Sequence, residues 1–331
     1  MRILITGGTG FIGSNLALAY ARAGHQVLVV SKKITDAERE NARDLKQAGV
    51  EVIQGNILDQ DLMADCCKEA DLVHHIAAAM REANLPDRLF WKVNVEATQQ
   101  LLELSRRMGV SRFVYCSSIG AMGKVVQKPA HEKSPCHPQD IYQITKRAAE
   151  ELCLRFYQEH RMPIVIVRPA DVYGPRDRRL LKLFRAIRKG QFVMIGSGQN
   201  EHHMVHVDDL VAALILAAER EAAIGEIFII AGESPIRLEE LVRMIAELLG
   251  VPTPRLRIPL APVRALALVI EAFCKPLGIP PPLYPRRVDF FSSDYAFEIS
   301  KARQMLGYQP QYGLAQGIES TLEWYRRNGL L

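Results

Sequence analysis

The chain has 331 residues, enough for one large domain or two modest ones, and its 48% apolar and 24% charged residues are ordinary for a soluble globular protein. The net charge of +5 is small and Lys and Arg are spread along the chain, so we expect no nucleic-acid partner. The six cysteines form no CxxC pair, which favours free thiols and a cytoplasmic location over a disulfide framework.

Short β-branched runs alternate with helical patterns through much of the chain. The spacing predicts strands at residues 2–6, 26–31, 51–56, 71–77, 112–117, 164–168 and 226–231. It predicts helices at residues 11–23, 59–69, 88–108 and 142–160, and a further helix that begins near Asp208. Apolar strands that alternate with helices are parallel and covered on both faces, so we predict an α/β fold with a doubly wound Rossmann sheet of about seven strands.

A glycine-rich turn separates the first strand from the first helix and reads Thr6-Gly7-Gly8-Thr9-Gly10-Phe11-Ile12-Gly13. Gly7 permits a tight turn, Gly10 lets the backbone approach a pyrophosphate, and Gly13 allows close packing of helix on strand. The helix N-terminus at Phe11 and Ile12 adds amide donors and the positive end of the helix dipole. These features predict a dinucleotide-binding site.

The end of the second strand bears on the choice of dinucleotide. NAD-specific folds place a carboxylate there for the ribose diol, whereas this chain reads Ser31-Lys32-Lys33. A neutral serine followed by two lysines would tolerate and attract a 2′-phosphate, so NADP is favoured over NAD. The alternative is that Lys32 and Lys33 are ordinary solvated charges.

Tyr142 and Lys146 stand four residues apart at the start of a long helix, on one face. A nearby ammonium favours the phenolate and lowers the pKa of the tyrosine, which could then exchange a proton with a carbinol or ketone as hydride moves. Ser118 ends the fifth strand, where its hydroxyl could hydrogen-bond the substrate oxygen. We therefore predict Ser118, Tyr142 and Lys146 as catalytic residues.

The pattern changes after Pro169, where prolines and arginines become denser and the alternation of strands and helices fades. We predict an NAD(P)-binding domain over residues 1–168, to which residues 205–232 return. Residues 169–204 and 233–331 would form a smaller substrate-binding lobe at the carboxyl ends of the strands.

Residues 260–274 form the longest apolar stretch, interrupted by Arg264 and Glu271. The stretch is shorter than the ~20 residues needed to cross a bilayer, so we expect no integral membrane segment, and its spacing predicts an amphipathic helix. We expect this helix to be buried against its own domain. Contact with a membrane or with an apolar substrate is the alternative.

Further motifs extend the pattern beyond the glycine turn and the Tyr-Lys pair. They are Asn56-Ile57-Leu58-Asp59, His75-Ile76-Ala77-Ala78, Asn94-Val95, Arg168-Pro169 with Val172-Tyr173-Gly174-Pro175, and His206-Val207-Asp208-Asp209. With these motifs the chain resembles, over nearly its whole length, the extended short-chain dehydrogenases/reductases, also called the NAD-dependent epimerase/dehydratase family. One departure is Asn56, which stands where the family's GDIxD motif usually has Asp.

The resemblance implies further roles for individual residues. Besides the glycine turn and the end of the second strand, the implied cofactor contacts are Asn56, Ile57, Ala77, Ala78, Asn94, Tyr142, Lys146 and Pro169. The implied substrate contacts are Met122, Asp171, Arg179 and Arg287. The resemblance also implies a small-molecule substrate and a homodimer built on the helices around Val93 and Ala149.

Departures from the family pattern reduce the number of reactions that we expect of this chain. Sugar dehydratases of this family carry an Asp-Glu pair after the catalytic hydroxyl residue, and decarboxylating relatives keep the Glu. This chain has Ile119 and Gly120, which transfer no proton. The serine strand, with Ala121-Met122-Gly123, is more similar to the branch of 3β-hydroxysteroid dehydrogenases and dihydroflavonol reductases.

Three functions remain open on the sequence. We favour a dehydrogenase or reductase of an apolar hydroxy or keto compound. A nucleotide-sugar 4-epimerase is the second candidate, because Arg176, Arg178, Arg179, Arg286 and Arg287 could bind a diphosphate. The third is a catalytically inactive NADP-sensing regulator, although such proteins typically lose the Tyr or the Lys that this chain keeps.

We expect no metal site. His202, His203 and His206 form an HHxxH pattern, but it lies on a predicted loop that enters a helix. No Cys or carboxylate stands at a fitting spacing for a zinc ligand set.

Overall fold

The computed structural model describes residues 1–32, 35–80, 86–274, 277, 279 and 281–331, with the backbone alone at residues 286 and 287. The strands of this part of the chain are β1 (Arg2–Thr6), β2 (Gln26–Ser31), β3 (Glu51–Gln54), β4 (Leu72–His75), β5 (Arg112–Cys116), β6 (Ile164–Pro169), β7 (Asp171–Tyr173), β8 (Met194–Ile195), β9 (Glu201–His202), β10 (Met204–His206), β11 (Ile227–Ile230), β12 (Ile236–Arg237) and β13 (Arg257–Ile258).

Helices connect the strands. They are α1 (Phe11–Arg22), α2 (Asp36–Gln47), α3 (Gln60–Cys67), α4 (Asp87–Trp91), α5 (Ala97–Arg107), α6 (Ile141–His160), α7 (Leu181–Arg188), α8 (Val207–Glu219), α9 (Leu238–Leu249), α10 (Leu260–Cys274), α11 (Pro285–Asp289), α12 (Ser300–Leu306) and α13 (Leu314–Arg327). A π-helical turn spans Lys92–Glu96, and short 3₁₀ helices span Ile119–Met122 and Glu221–Ala223.

Seven parallel strands form the central sheet, in the order β11-β6-β5-β4-β1-β2-β3. Alternate residues of each strand point to opposite faces, so Ile3 and Ile5 join the core beneath α1 and α8, whereas Leu4 joins the core beneath α3, α5 and α6. Burial on both faces explains why these strands read as continuous apolar runs. The predicted Rossmann-type α/β fold is confirmed.

A third apolar core lies outside the sheet and gathers residues of α7, α9 and α13, including Phe184, Leu241 and Leu322. Three two-stranded pairs, β7 with β10, β9 with β12 and β8 with β13, tie these elements together. The division into a cofactor-binding domain and a substrate-binding lobe stays a prediction.

Several predicted elements have different bounds in the structure, and the differences in two strands and one helix affect the candidate site. The strands predicted at 51–56 and 71–77 end at Gln54 and His75, because the residues after them leave the sheet at its carboxyl edge. The helix predicted over 88–108 is divided by the π-helical turn, where an extra residue is accommodated and Asn94 is turned into the interior.

The expected burial of residues 260–274 is wrong. These residues do form helix α10, but only Ala267 and Cys274 of it are buried, while Phe273 is 71% and Val269 is 66% exposed. An amphipathic pattern shows that one face of a helix is apolar, but it does not show what covers that face. The sequence alone therefore could not establish whether α10 is buried. No helix in the described part of the chain is long and apolar enough to cross a membrane.

A fully buried ion pair joins helix α6 to strand β6. The guanidinium of Arg168 donates to both carboxylate oxygens of Glu150, with N–O distances of 2.8 and 2.7 Å, and neither side chain is exposed to solvent. Glu132 supports the pair, since its carbonyl accepts from Arg168 and its carboxylate accepts from the amide of Ile229. Removal of one partner would therefore leave an uncompensated charge in the core.

We expect Glu150→Gln to lower the free energy of unfolding by about 3 kcal/mol, because Arg168 would lose its buried counter-charge. The matched control is Glu151→Gln, one residue further along the same helix, whose exposed pair with Arg147 should be worth less than about 0.5 kcal/mol. Urea unfolding of both variants and the parent chain measures the difference. Equal stability of the two variants would contradict the prediction.

Candidate active site

The glycine turn after β1 is built by close backbone approaches. Gly7 has a φ of +67°, and a Cβ there would lie 2.8 Å from the backbone of Ala77. A Cβ on Gly13 would lie 2.5 Å from the carbonyl oxygen of Gly7, so any side chain would force α1 away from the turn. The roles predicted for these two glycines, a tight turn and close helix packing, agree with this geometry.

The start of helix α1 is open toward a ligand. A Cβ on Gly10 would meet only the carbonyl oxygen of Gly7, at 3.2 Å, and no side chain within the described residues caps the helix. The first turn of α1, at Phe11, Ile12 and Gly13, carries no acidic residue that would repel a phosphate. A pyrophosphate therefore fits here, and a dinucleotide would be held by this turn and by the ends of the neighbouring strands.

Hydrogen bonds fix the end of β2 beside this turn. The Ser31 hydroxyl lies 2.5 Å from that of Thr9, the Thr9 carbonyl accepts from the Asn41 amide at 2.9 Å, and Arg176 donates to Asn41 at 2.6 Å. Ser31 is buried and Lys32 is exposed to solvent, while Lys33 lies outside the described residues. Sequence reasoning missed Thr9 and Asn41, although Thr9 is part of the glycine turn.

The ends of β3 and β4 supply the other residues predicted to contact the cofactor. Asn56 is half-buried and its side chain accepts from the amide of Leu58, while Ile57 is buried. Ala77 donates its amide to the hydroxyl of Thr6, which places the segment Ala77–Ala78 directly beside the glycine turn. Strand β6 ends at Pro169, at the same edge of the sheet.

The side chain of Asn94 hydrogen-bonds two other groups of the protein. Its side-chain oxygen accepts from the amide of Ala79 at 2.7 Å, and its nitrogen donates to the Thr145 hydroxyl at 3.0 Å. It thereby joins the loop after β4 to helix α6. A contact between Asn94 and the cofactor stays a prediction.

Ser118 lies one residue beyond the Ser117 that follows β5, half-buried, and its hydroxyl accepts from the amide of Gly120 at 3.0 Å. The 3₁₀ helix that it caps packs against α6. Because β1, β4, β5 and β6 are parallel, their carboxyl ends bring Ser118 to the same edge as the glycine turn.

Helix α6 carries Tyr142 and Lys146 on the stripe that faces the core. Its N-terminus is fixed by a capping box in which Asp140 accepts from the amide of Gln143 while the Gln143 side chain bonds back. Tyr142 is buried beside Ala79 and Phe90. The D-x-x-Q pattern ahead of the apolar positions is a signal from which this cap could have been predicted.

Lys146 is 1% exposed and holds its position through two contacts from β5. Its ammonium donates to the carbonyl of Cys116 at 2.7 Å and stands 4.4 Å from the centre of the Tyr115 ring. Burial lowers the pKa of Lys146 to about 8, with smaller opposing contributions from Cys116, Glu150 and Cys153. Burial also lowers the pKa of His75 to about 3, so this neighbour is neutral and adds no competing charge.

Asp171 begins β7 and is half-buried. Its carboxylate lies 3.3 Å from Nδ1 of His202, whose ring is 4.6 Å from that of Phe290. Met122 is buried in the core beneath the sheet edge and its carbonyl accepts from His137. The predicted substrate contacts of Met122 and Asp171 stay predictions.

The arginines predicted for the diphosphate of a nucleotide sugar are largely paired. Arg176 binds Asp44 at 2.8 Å, and Arg178 binds Glu40, so both reach acids of α2. Arg179 bonds Asp177 and the carbonyl of Val172, and its guanidinium lies 5.4 Å from the Phe11 ring. The side chains of Arg286 and Arg287 lie outside the described residues.

The three histidines of the HHxxH pattern point to separate partners. His203 bonds the carbonyl of Gly232 and the amide of Phe297, while His206 caps α8 and stacks on Tyr312 at 3.8 Å. His202 bonds the carbonyl of Phe290 in addition to facing Asp171. No cluster of three metal-ligating side chains occurs among the residues that the structure describes.

A doubly wound sheet with this glycine turn, a serine strand and a Tyr-Lys helix at one edge defines an extended short-chain dehydrogenase/reductase. The family model for the NAD dependent epimerase/dehydratase family matches residues 3–231, and the chain belongs to that family. It is accordingly an enzyme of a family that uses nicotinamide dinucleotides.

Relatives of several activities are similar to this chain. The 3 beta-hydroxysteroid dehydrogenase/Delta 5-->4-isomerase of Mycobacterium tuberculosis is 31% identical, over 98% of this chain and 90% of the relative. The dTDP-glucose 4,6-dehydratase of Streptomyces niveus is 30% identical, over 99% and 94%. The crystal structure of the UDP-glucose 4-epimerase of Thermotoga maritima with UDP-glucose has a TM-score of 0.82 and 25% identity, over 99% of both chains. Overall similarity therefore does not separate these reactions.

We expect Lys146→Met to stabilise the cofactor-free protein at pH 7 by about 2 kcal/mol, because a buried ammonium is replaced by an apolar side chain. The folded-state pKa of Lys146, about 8, lies below its ordinary 10.5, so the unfolded chain binds more protons between these values. The advantage of the variant should therefore shrink as the pH rises from about 8 to 10.5. Urea unfolding across this range measures it, and an advantage that does not change with pH would contradict the assignment.

Proposed function

We propose that the chain is an NAD(P)-dependent dehydrogenase or reductase that acts on a secondary alcohol or ketone of an apolar compound, of the hydroxysteroid or dihydroflavonol kind. The observation that carries the proposal is that Arg176 and Arg178 pair with acids of α2 and Arg179 pairs with Asp177, so each of these three arginines already has a counter-charge. A nucleotide diphosphate calls for more basic contacts than this.

The roles of the chain's own residues follow from their positions. Ser118 would hydrogen-bond the substrate oxygen, and Tyr142 would give a proton to that oxygen or take one from it. Lys146 would hold positive charge near the phenol, because its ammonium is fixed by Cys116. The bound dinucleotide supplies or accepts hydride. Ile119 and Gly120 offer no acid or base for an elimination, which argues against dehydratase chemistry despite the similarity to a dehydratase.

A nucleotide-sugar 4-epimerase is the second candidate. Arg179 is more than half exposed and lies over Phe11, and the fold matches that of a UDP-glucose 4-epimerase. An epimerase regenerates its cofactor, so purified protein that retained NAD and interconverted UDP-sugars without added cofactor would favour this candidate over the dehydrogenase.

We also propose NADP as the preferred cofactor and a homodimer through α5 and α6. Ser31 and Lys32 at the end of β2 present no carboxylate to a 2′-phosphate. Trp91 and Ile144, on and beside these helices, are exposed apolar residues that a second subunit could cover. All six cysteines are free thiols, in keeping with a cytoplasmic protein.

We expect Tyr142→Phe to lower kcat by about 10³-fold or more while leaving cofactor affinity unchanged, because the proton donor is lost. Tyr157→Phe, on the same helix and half-buried, is the matched control and should retain full activity. NADPH absorbance with a panel of 3β-hydroxysteroids, their ketones and dihydroflavonols measures the rates. A regulator rather than an enzyme would turn over no member of the panel, and both variants would behave alike.

We expect Lys32→Glu to weaken NADPH binding at least about tenfold and to change NADH binding little, since the substitution replaces attraction to the 2′-phosphate by repulsion. Lys46→Glu makes the same charge change on the exposed face of α2 and controls for net charge. Calorimetric titration of both cofactors provides the affinities. The NADP proposal fails if NADH binds as tightly as NADPH to the parent protein.

A further inference from the structure

Helix α10 and the segments beside it expose an unusual amount of apolar surface. Eight large apolar side chains between residues 256 and 279 are more than a third exposed: Leu256, Ile258, Leu266, Leu268, Val269, Phe273, Leu277 and Ile279. Isolated exposed apolar residues are common, but a contiguous apolar patch marks a surface that meets another body.

The exposed residues of α10 lie on one side of the helix. At 3.6 residues per turn, Leu268, Ala272, Ala265, Val269, Phe273 and Leu266 follow one another around an arc of about 160°. The charged residues Arg264 and Glu271 lie together at one border of this arc, and the buried Ala267 and Cys274 lie opposite it. The helix is thus amphipathic with its apolar face turned to the outside.

The same region has a net positive charge nearly as large as that of the whole chain. Residues 251–290 contain six Lys and Arg and two Asp and Glu, a net charge of +4, compared with +5 for the whole chain. Arg264 borders the apolar face, and the exposed Arg255 and Arg257, of which Arg257 pairs with Glu239, precede the helix in the chain. An apolar strip bordered by basic side chains is complementary to an anionic lipid surface, where each basic residue contributes about 1 kcal/mol.

We propose that the outward face of α10 docks the protein on the surface of an anionic phospholipid bilayer, with Leu266, Val269 and Phe273 inserted among the acyl chains. The 15-residue helix is about 22 Å long, too short for a hydrocarbon core of about 30 Å, so it lies in the plane of the interface.

A second copy of the chain fits this surface less well. A symmetric dimer through α10 would bring two regions of net charge +4 against each other, and the like charges would oppose the apolar contact. A bilayer with anionic headgroups offers apolar and complementary charged surface at once.

The docked face is also connected to the candidate active site. Helix α10 packs on α11, and Phe290, which follows α11, lies against His202 and so beside Asp171. If the proposed function holds, an apolar substrate dissolved in the bilayer would have a short route to the site. The docking itself does not depend on that function.

Sedimentation of the full chain with lipid vesicles tests the proposal. We expect the protein to bind vesicles of phosphatidylcholine with about 30% phosphatidylglycerol more tightly than phosphatidylcholine alone, and less tightly as salt is raised. Val269→Asp should lower the partition coefficient at least about tenfold. Val126→Asp, at a valine that is 77% exposed and lies outside α10, is the matched control and should leave it unchanged.

Arg264→Glu, an exposed substitution at the border of the face, provides a second variant and should weaken binding to the anionic vesicles alone. Circular dichroism confirms that each variant is folded. The proposal is overturned if the parent protein does not bind anionic vesicles, or if Val269→Asp and Val126→Asp bind equally. It is overturned as well if Val269→Asp converts a dimer into a monomer without affecting vesicle binding, since the face would then be a subunit interface.

Discussion

The candidate site depends on a buried ammonium that forms no ion pair within the described part of the chain. Lys146 lies one turn from Glu150 on the inner face of α6, but the charge of Glu150 is already balanced by Arg168. A backbone carbonyl and the face of Tyr115 contact the ammonium of Lys146, and burial has the largest effect on its pKa. Such an arrangement lowers stability and is retained where the charge serves chemistry.

Much of the fold could be predicted because its signals are local. Each strand of the central sheet is a short apolar run, and the glycine turn stands between the first strand and the first helix. Where predicted strands were too long, at Asn56 and Ala77, the extra residues lie at the carboxyl edge. The sequence pattern of a strand continues through these residues, although their backbone has left the sheet. Because they lie at the carboxyl edge, they are part of the candidate site.

The rest depends on contacts that no local pattern encodes. Arg178 pairs with Glu40, which stands 138 positions earlier in the chain. The sequence around either residue contains no pattern that predicts this ion pair. The π-helical turn that aims Asn94 inward requires the surrounding fold to accept an extra residue. The exposure of α10 is likewise a tertiary property, since the same sequence would read identically if another helix covered it.

Two features, the ion pairs of Arg176 and Arg178 and the exposed apolar face of α10, support the proposed class of substrate. Arg176 joins the segment after β7 to Asn41 and, through Thr9, to Ser31, so the basic residues of that segment are linked to the cofactor side of the site. Among the described residues there, Asp171, which contacts His202, and Arg179, which pairs with Asp177, are partly exposed charged groups. A site whose described charges are already paired, in a protein whose helix α10 turns an apolar face outward, is the reason that we propose one polar oxygen on an apolar molecule, rather than a diphosphate, as the reacting group.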